Sequence, residues 1–187
     1  MKAGQRRVNY PGPWQKVMPE GMTHPFFIVM YGEPGSGKTS LALMMGNAYQ
    51  GKKTGRKLFL SWEMGLGAKL ADYYARLRIF DLQAGIVETW DELVAISSDY
   101  DLIIADSLQA SHISPEAWLG FVNRGTNLIL ISEVNAAGEV KSGKAASHKC
   151  DHAVKVLEFA KDGEITFDIK KSRFGAIDPG NYHVSAS

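Results

Sequence analysis

From Pro25 onward, short apolar runs alternate with amphipathic stretches. Residues 25–32, PFFIVMYG, read as a buried strand, and 38–50, KTSLALMMGNAYQ, continue with helical spacing. KLFLSWE (57–63) reads as a second strand. In 68–79, Leu70, Tyr73, Tyr74 and Leu77 fall at i, i+3, i+4 and i+7, one face of a helix. DLIIADS (101–107) and NLILIS (127–132) supply two more strands. Between them, 114–125 reads as a helix capped by Ser114 and closed by Gly125. Strands that are apolar on both faces and alternate with helices predict an α/β fold with a mostly parallel central sheet flanked by helices. In 152–175 the period changes: two alternating runs meet at Lys161-Asp162-Gly163, which predicts a C-terminal antiparallel hairpin.

Residues 1–22 differ, being polar, basic and broken by Pro11, Pro13 and Pro19. They read as a basic arm or a strapped-down extension, not a domain, ahead of a core spanning 23–187. The chain has 187 residues, 45% hydrophobic and 22% charged, within the range of one globular domain. A net charge of +1 does not advertise nucleic-acid binding, although local basic patches remain compatible with it. One cysteine, Cys150, excludes an internal disulfide and a multi-cysteine zinc site; a small buried apolar role suits it. No apolar run approaches the roughly 18 residues of a membrane helix, so the expectation is a cytoplasmic protein with no membrane partner. The histidines show no metal-ligand spacing and read as surface or packing residues, and the four tryptophans as core or interface.

Gly32-Glu33-Pro34-Gly35-Ser36-Gly37-Lys38-Thr39 fits G-x-x-x-x-G-K-[ST], placed after an apolar strand and before a helical pattern. Glycines let backbone N–H groups converge on a phosphate without Cβ clashes. The helix that follows, through Ser40, aims its positive end at the same anion. Lys38 supplies charge to the β- and γ-phosphates, and the Thr39 hydroxyl suits Mg²⁺. ATP and Mg²⁺ are therefore the expected ligands. The second piece such a site requires is an acid at the end of another strand: Asp106, at the end of LIIAD, would hold Mg²⁺ through water, an Asp capping a strand end being the competing reading. Ser107 follows it, so the base for water must come from elsewhere. Glu63 ends another strand and would reach the same sheet edge; a solvated glutamate opening a helix is the competing reading.

These motifs resemble the RecA-type core ATPases, most of all the RadA (Sms) and DnaB branch, over roughly residues 26–185. Gly32–Ser40 is similar to that branch's phosphate loop. Residues 58–63 resemble the strand whose terminal glutamate activates water, which implies that role for Glu63. Asp106-Ser107 resembles the Asp-Ser strand end, and 130–135 the sensor strand. Lys171-Ser172-Arg173-Phe174-Gly175 is close to the Lys-Asn-Arg-Phe-Gly signature of RadA. Lys171 and Arg173 lie i, i+2 on an extended segment, so their heads share one side. The resemblance implies that they act in trans, on the nucleotide of a neighbouring subunit, in a ring or filament. It also implies DNA, with single strands as the expected form, contacted by a loop at 136–147 through Lys141 and Lys144. A flexible solvated loop is the plainer reading of that stretch.

One departure concerns the sensor position, where the branch carries Gln or His and this chain has Glu133. A carboxylate beside a γ-phosphate repels it unless protonated or paired. Lys171 or Arg173 of a neighbour could pair with it, or it could face elsewhere. A core without the branch's flanking domains resembles the short recombination proteins of some phages. Recombination, annealing or repair on DNA is the function the resemblance implies. A hexameric helicase, translocase or packaging motor is the alternative, with a small-molecule phosphotransferase or a non-hydrolysing binding module behind it.

Overall fold

The computed structural model describes residues 7–51, 55–141, 144–173 and 177–185. The chain begins with β1 (Arg7–Val8), α1 (Trp14–Val17) and β2 (Met22–Thr23), then runs through β3 (Phe27–Gly32), α2 (Lys38–Ala48) and β4 (Lys57–Ser61). Next come α3 (Ala68–Arg76), β5 (Gln83–Gly85), α4 (Trp90–Ser97), β6 (Leu102–Asp106) and α5 (Leu108–Ser111). The last part holds α6 (Pro115–Asn123), β7 (Asn127–Glu133), α7 (Lys144–Lys149), β8 (His152–Phe159), β9 (Glu164–Ser172) and β10 (Gly180–Ser185).

Among the described residues, eight strands form one sheet in the order β10-β9-β8-β3-β7-β6-β4-β5. From β8 to β5 the neighbours are parallel; β8, β9 and β10 are antiparallel. The expected C-terminal hairpin is β8–β9, turned at Gly163 with φ +89°. The central strands are buried on both faces and sort their side chains by alternation. Ile28, Met30, Ile104 and Ile129 meet α2 and Leu70 and Leu77 of the α3 stretch; Phe27, Val29, Ile103 and Leu128 meet Leu93, Trp118 and Phe121 on the other side.

Three features differ from the sequence pattern. Residues 7–23 send Tyr10, Trp14, Val17, Met18 and Met22 into the first of these cores. Prolines and charged residues interrupt the segment, and the apolar residues between them have no periodicity. Helix α4 is opened by a reciprocal capping box between Thr89 and Glu92, a signal present in the sequence. Strands β5 and β10 lie at the sheet's two edges, where short or mixed segments suffice. Among the described residues, no helix is long and apolar enough to cross a membrane.

Candidate nucleotide site

The loop between β3 and α2 is shaped by its glycines and by the hairpin beneath it. A Cβ at Gly32 would lie 2.3 Å from the Val156 carbonyl oxygen. Gly37 has φ +96°, and a Cβ there would lie 2.9 Å from Phe159 Cβ. Gly35, at φ +79°, faces open space instead. Thus β8 buttresses the loop at two glycines and leaves the third clear on the ligand side. The Ser36 and Ser40 hydroxyls are buried without a hydrogen-bond partner, as donors reserved for an anion would be.

Lys38 donates from Nζ to the carbonyl oxygens of Gly32 (3.0 Å) and Glu33 (2.7 Å). Burial lowers its pKa from the usual lysine value, against the pull of Asp106, Glu63 and Glu133. Thr39 donates from Oγ1 to Asp106 Oδ2 at 2.7 Å. Asp106 is 2% exposed, and its Oδ1 has no partner. Burial raises the Asp106 carboxyl to about 6, offset by the Thr39 hydrogen bond and increased by Glu63.

Glu63 comes to the same edge because β4 pairs with β6, Ser61 opposite Asp106. The Asp106 carbonyl then accepts from Trp62 N (3.0 Å) and Glu63 N (3.3 Å), turning the chain there. Pro34, Gly35, Gly37, Lys38, Thr39, Ser40, Glu63, Asp106 and Glu133 all line one crevice of about 220 Å³. Lys69, Tyr73, Met64, Ser132 and Phe159 also line it, although no motif marks them. Arg76 stacks over the Tyr73 and Phe159 rings, 4.7 and 5.5 Å from their centroids. Gln109 ties the edge together, donating from Nε2 to Ser132 Oγ at 2.9 Å.

The donor set fits a hard divalent cation. The Thr39 hydroxyl and the orphaned Asp106 Oδ1 are oxygen atoms beside a phosphate loop and would offer the ligand chemistry Mg²⁺ prefers. Among the described residues, no group of three or more His, Cys, Asp or Glu could hold a metal. An ion here would therefore complete its shell with water and phosphate oxygens.

Lys171 and Arg173 stand apart from the crevice. Both heads lie on one side, as their spacing predicts, and both meet the C-terminal carbonyls of α7. Lys171 Nζ donates to the Ser147 and His148 carbonyl oxygens, each at 2.7 Å, and Arg173 Nη2 donates to His148 at 2.8 Å. Cations at a helix C-terminus complement its dipole. Ser172 pairs with His152, which pairs with Ile28, four positions before Gly32 on β3. At about 3.3 Å per residue, the two cations lie roughly 13 Å along the strand from the loop of their own chain. Phe174 and Gly175, and the side chain of Lys144, lie outside the described residues.

Glu133 pairs with neither finger of its own chain. It accepts from Lys141 Nζ at 2.5 Å. That hydrogen bond is the main reason its pKa is lowered, so the carboxylate stays ionised at neutral pH. The stretch read as a loop is in part ordered: Val134 bridges Val140, and residues 144–149 form α7. Cys150 is fully buried, and burial raises its thiol to about 11, as expected of an unreactive packing residue.

A family model described as an AAA domain matches residues 24–113, the part that holds the loop, Glu63 and Asp106. No curated protein sequence matches the chain. Among solved structures, a KaiC-like protein of the hyperthermophilic archaeon Pyrococcus horikoshii OT3 superposes with a TM-score of 0.71 at 15% identity, covering 96% of this chain and 94% of that one. The RadB recombinase superposes with a TM-score of 0.64 at 16% identity, covering 92% of each. The glycine loop on β3, the strand order around it and these likenesses show that the chain has the fold of the RecA-type P-loop ATPases.

Proposed function

We propose that the chain binds ATP with Mg²⁺, hydrolyses it, and uses the cycle on DNA in recombination, annealing or repair, with each active site completed by an adjacent copy. The observation that carries this reading is the crevice itself, where Lys38, Thr39, Asp106 and Glu63 line one small volume at the end of a phosphate loop.

In this reading the loop amides and Lys38 hold the β- and γ-phosphates. Bound at Thr39 and Asp106, Mg²⁺ would neutralise phosphate charge and favour the departure of ADP. Glu63 orients a water toward the γ-phosphorus and accepts its proton as the new P–O bond forms. The bond from the γ-phosphorus to the bridging oxygen breaks, and ADP and inorganic phosphate leave.

Support for a shared site comes from what the crevice lacks. Among the described residues no arginine lines it, and Lys171 and Arg173 are displaced toward the opposite end of β3. Their distance from their own chain's loop is what a role on another copy's nucleotide requires. Trans cations of this kind contribute about 10³-fold or more in rate. Lys141 and Lys144 are the proposed DNA contacts; the Lys141 side chain is 52% exposed even in its pair with Glu133. The name recombinase belongs to RadB, and it supports the DNA part of the proposal by likeness of fold alone.

The test is phosphate release from ATP across protein concentration, with and without single-stranded DNA. The rate per chain should rise with concentration and with DNA, and Lys38→Ala should abolish it. Glu63→Gln and Arg173→Ala should each be inactive, and mixing them should restore turnover, since some interfaces regain both groups. A rate per chain indifferent to concentration, with no rescue on mixing, would overturn the shared site.

A further inference from the structure

Three carboxylates line the crevice, Glu63, Asp106 and Glu133, against two ammonium groups, Lys38 and Lys69. Glu133 is the least expected of the three. In the β3–β7 register it stands opposite Gly32, the first residue of the phosphate loop. A bare carboxylate at that level repels an incoming polyphosphate.

The chain after β7 is built to bring one cation back to this position. Val134 bridges Val140, and Asn135 N donates to the Glu139 carbonyl at 2.8 Å. Asn135 Oδ1 accepts from Ala137 N and Glu139 N, each at 3.0 Å. The Lys141 amide then donates to the Glu133 carbonyl at 2.8 Å, and its ammonium reaches the Glu133 carboxylate. The backbone bonds close the turn without help from the ion pair. Exposed pairs of this kind add little to folding, so their use must be sought in the crevice.

We propose that Lys141 is a positioning residue of the nucleotide site: held against Glu133 by the 133–141 turn, it compensates a carboxylate that would otherwise oppose the terminal phosphate of a triphosphate. This rests on the reading of the crevice as an ATP site and adds to it a determinant of ATP over ADP. Toward the nucleotide, as distinct from its proposed contact with DNA, Lys141 acts through Glu133, so its removal should change nucleotide affinity only while Glu133 carries charge.

Affinities of the full chain for ATP and for ADP, each with Mg²⁺, are measured by titration calorimetry for the parental protein, Lys141→Met, Glu133→Gln and the double variant. Lys141→Met should weaken ATP about five-fold, and ADP by less, because the more highly charged ligand meets the larger repulsion. Glu133→Gln in the same chain should return ATP affinity to that of Glu133→Gln alone. A double variant as weak as Lys141→Met would mean that Lys141 meets phosphate directly, and would overturn the inference. So would a Lys141→Met protein that binds ATP like the parent while the parent binds both nucleotides. A parent that binds neither nucleotide would overturn the ATP-site reading, and this inference with it.

Discussion

The Thr39 hydroxyl donates to the Asp106 carboxylate at 2.7 Å, joining the first turn of α2 to the end of β6 across 67 residues of sequence. Two oxygens from separate elements are thereby preset beside the phosphate loop. Asp106 is held there at an electrostatic cost, since burial is the largest influence on its carboxyl and opposes ionisation. A divalent cation would remove that cost, which links ion binding to the stability of the site.

The pH dependence of folding should report this cost. Burial raises the Asp106 carboxyl to about 6 in the folded chain, against 3.8 for an ordinary aspartate. Between those values the folded state holds more protons than the unfolded one, so the Asp106 contribution to stability falls as pH rises and levels off above about 6. About two pKa units correspond to roughly 3 kcal/mol. Asp106→Asn keeps an acceptor for Thr39 and removes the charge. In metal-free urea titrations it should gain on the parent between pH 4 and 7, by about 2–3 kcal/mol at the upper end. Parallel stability curves for the two proteins would show the carboxylate to be unstrained.

Gly35 and Gly37 should respond unequally to alanine. Both have positive φ, but only at Gly37 would the added methyl meet the β8–β9 hairpin, through Phe159. Gly35→Ala should cost the backbone penalty of about 1–2 kcal/mol. Gly37→Ala should add overpacking of about 1–3 kcal/mol and also weaken ATP binding by shifting the loop. Equal melting temperatures for the two variants would refute the buttressing role of Phe159.

Trp14→Ala should show that the N-terminal segment belongs to the core. Trp14 is 3% exposed, and its ring lies 6.3 Å from Tyr10 and 6.5 Å from Phe167 by centroids. Truncating a buried tryptophan costs about 3–5 kcal/mol. Chemical denaturation measures it, and a loss below about 0.5 kcal/mol, the size of a surface substitution, would mean that the segment is dispensable.

Much of this architecture follows from neighbours a few residues apart. Strand runs such as LIIAD and NLILI, the glycine spacing of 32–37 and the Asp162-Gly163 turn are short-range signals, because pleat, turn and loop geometry are set over two to eight residues. Those signals suffice for the parallel sheet, the phosphate loop and the shared edge of Glu63 and Asp106. The partners of the charged residues are another matter. Lys171 and Arg173 meet carbonyls 23 to 25 positions earlier, and Tyr10 and Trp14 enter a core built from distant strands. Phe159 reaches Gly37 only because β8 lies beside β3. No local pattern encodes these encounters, since they depend on which strands become neighbours and on which end of each strand a side chain occupies. Burial and charge pairing were resolved by packing, and packing is a property of the assembled sheet.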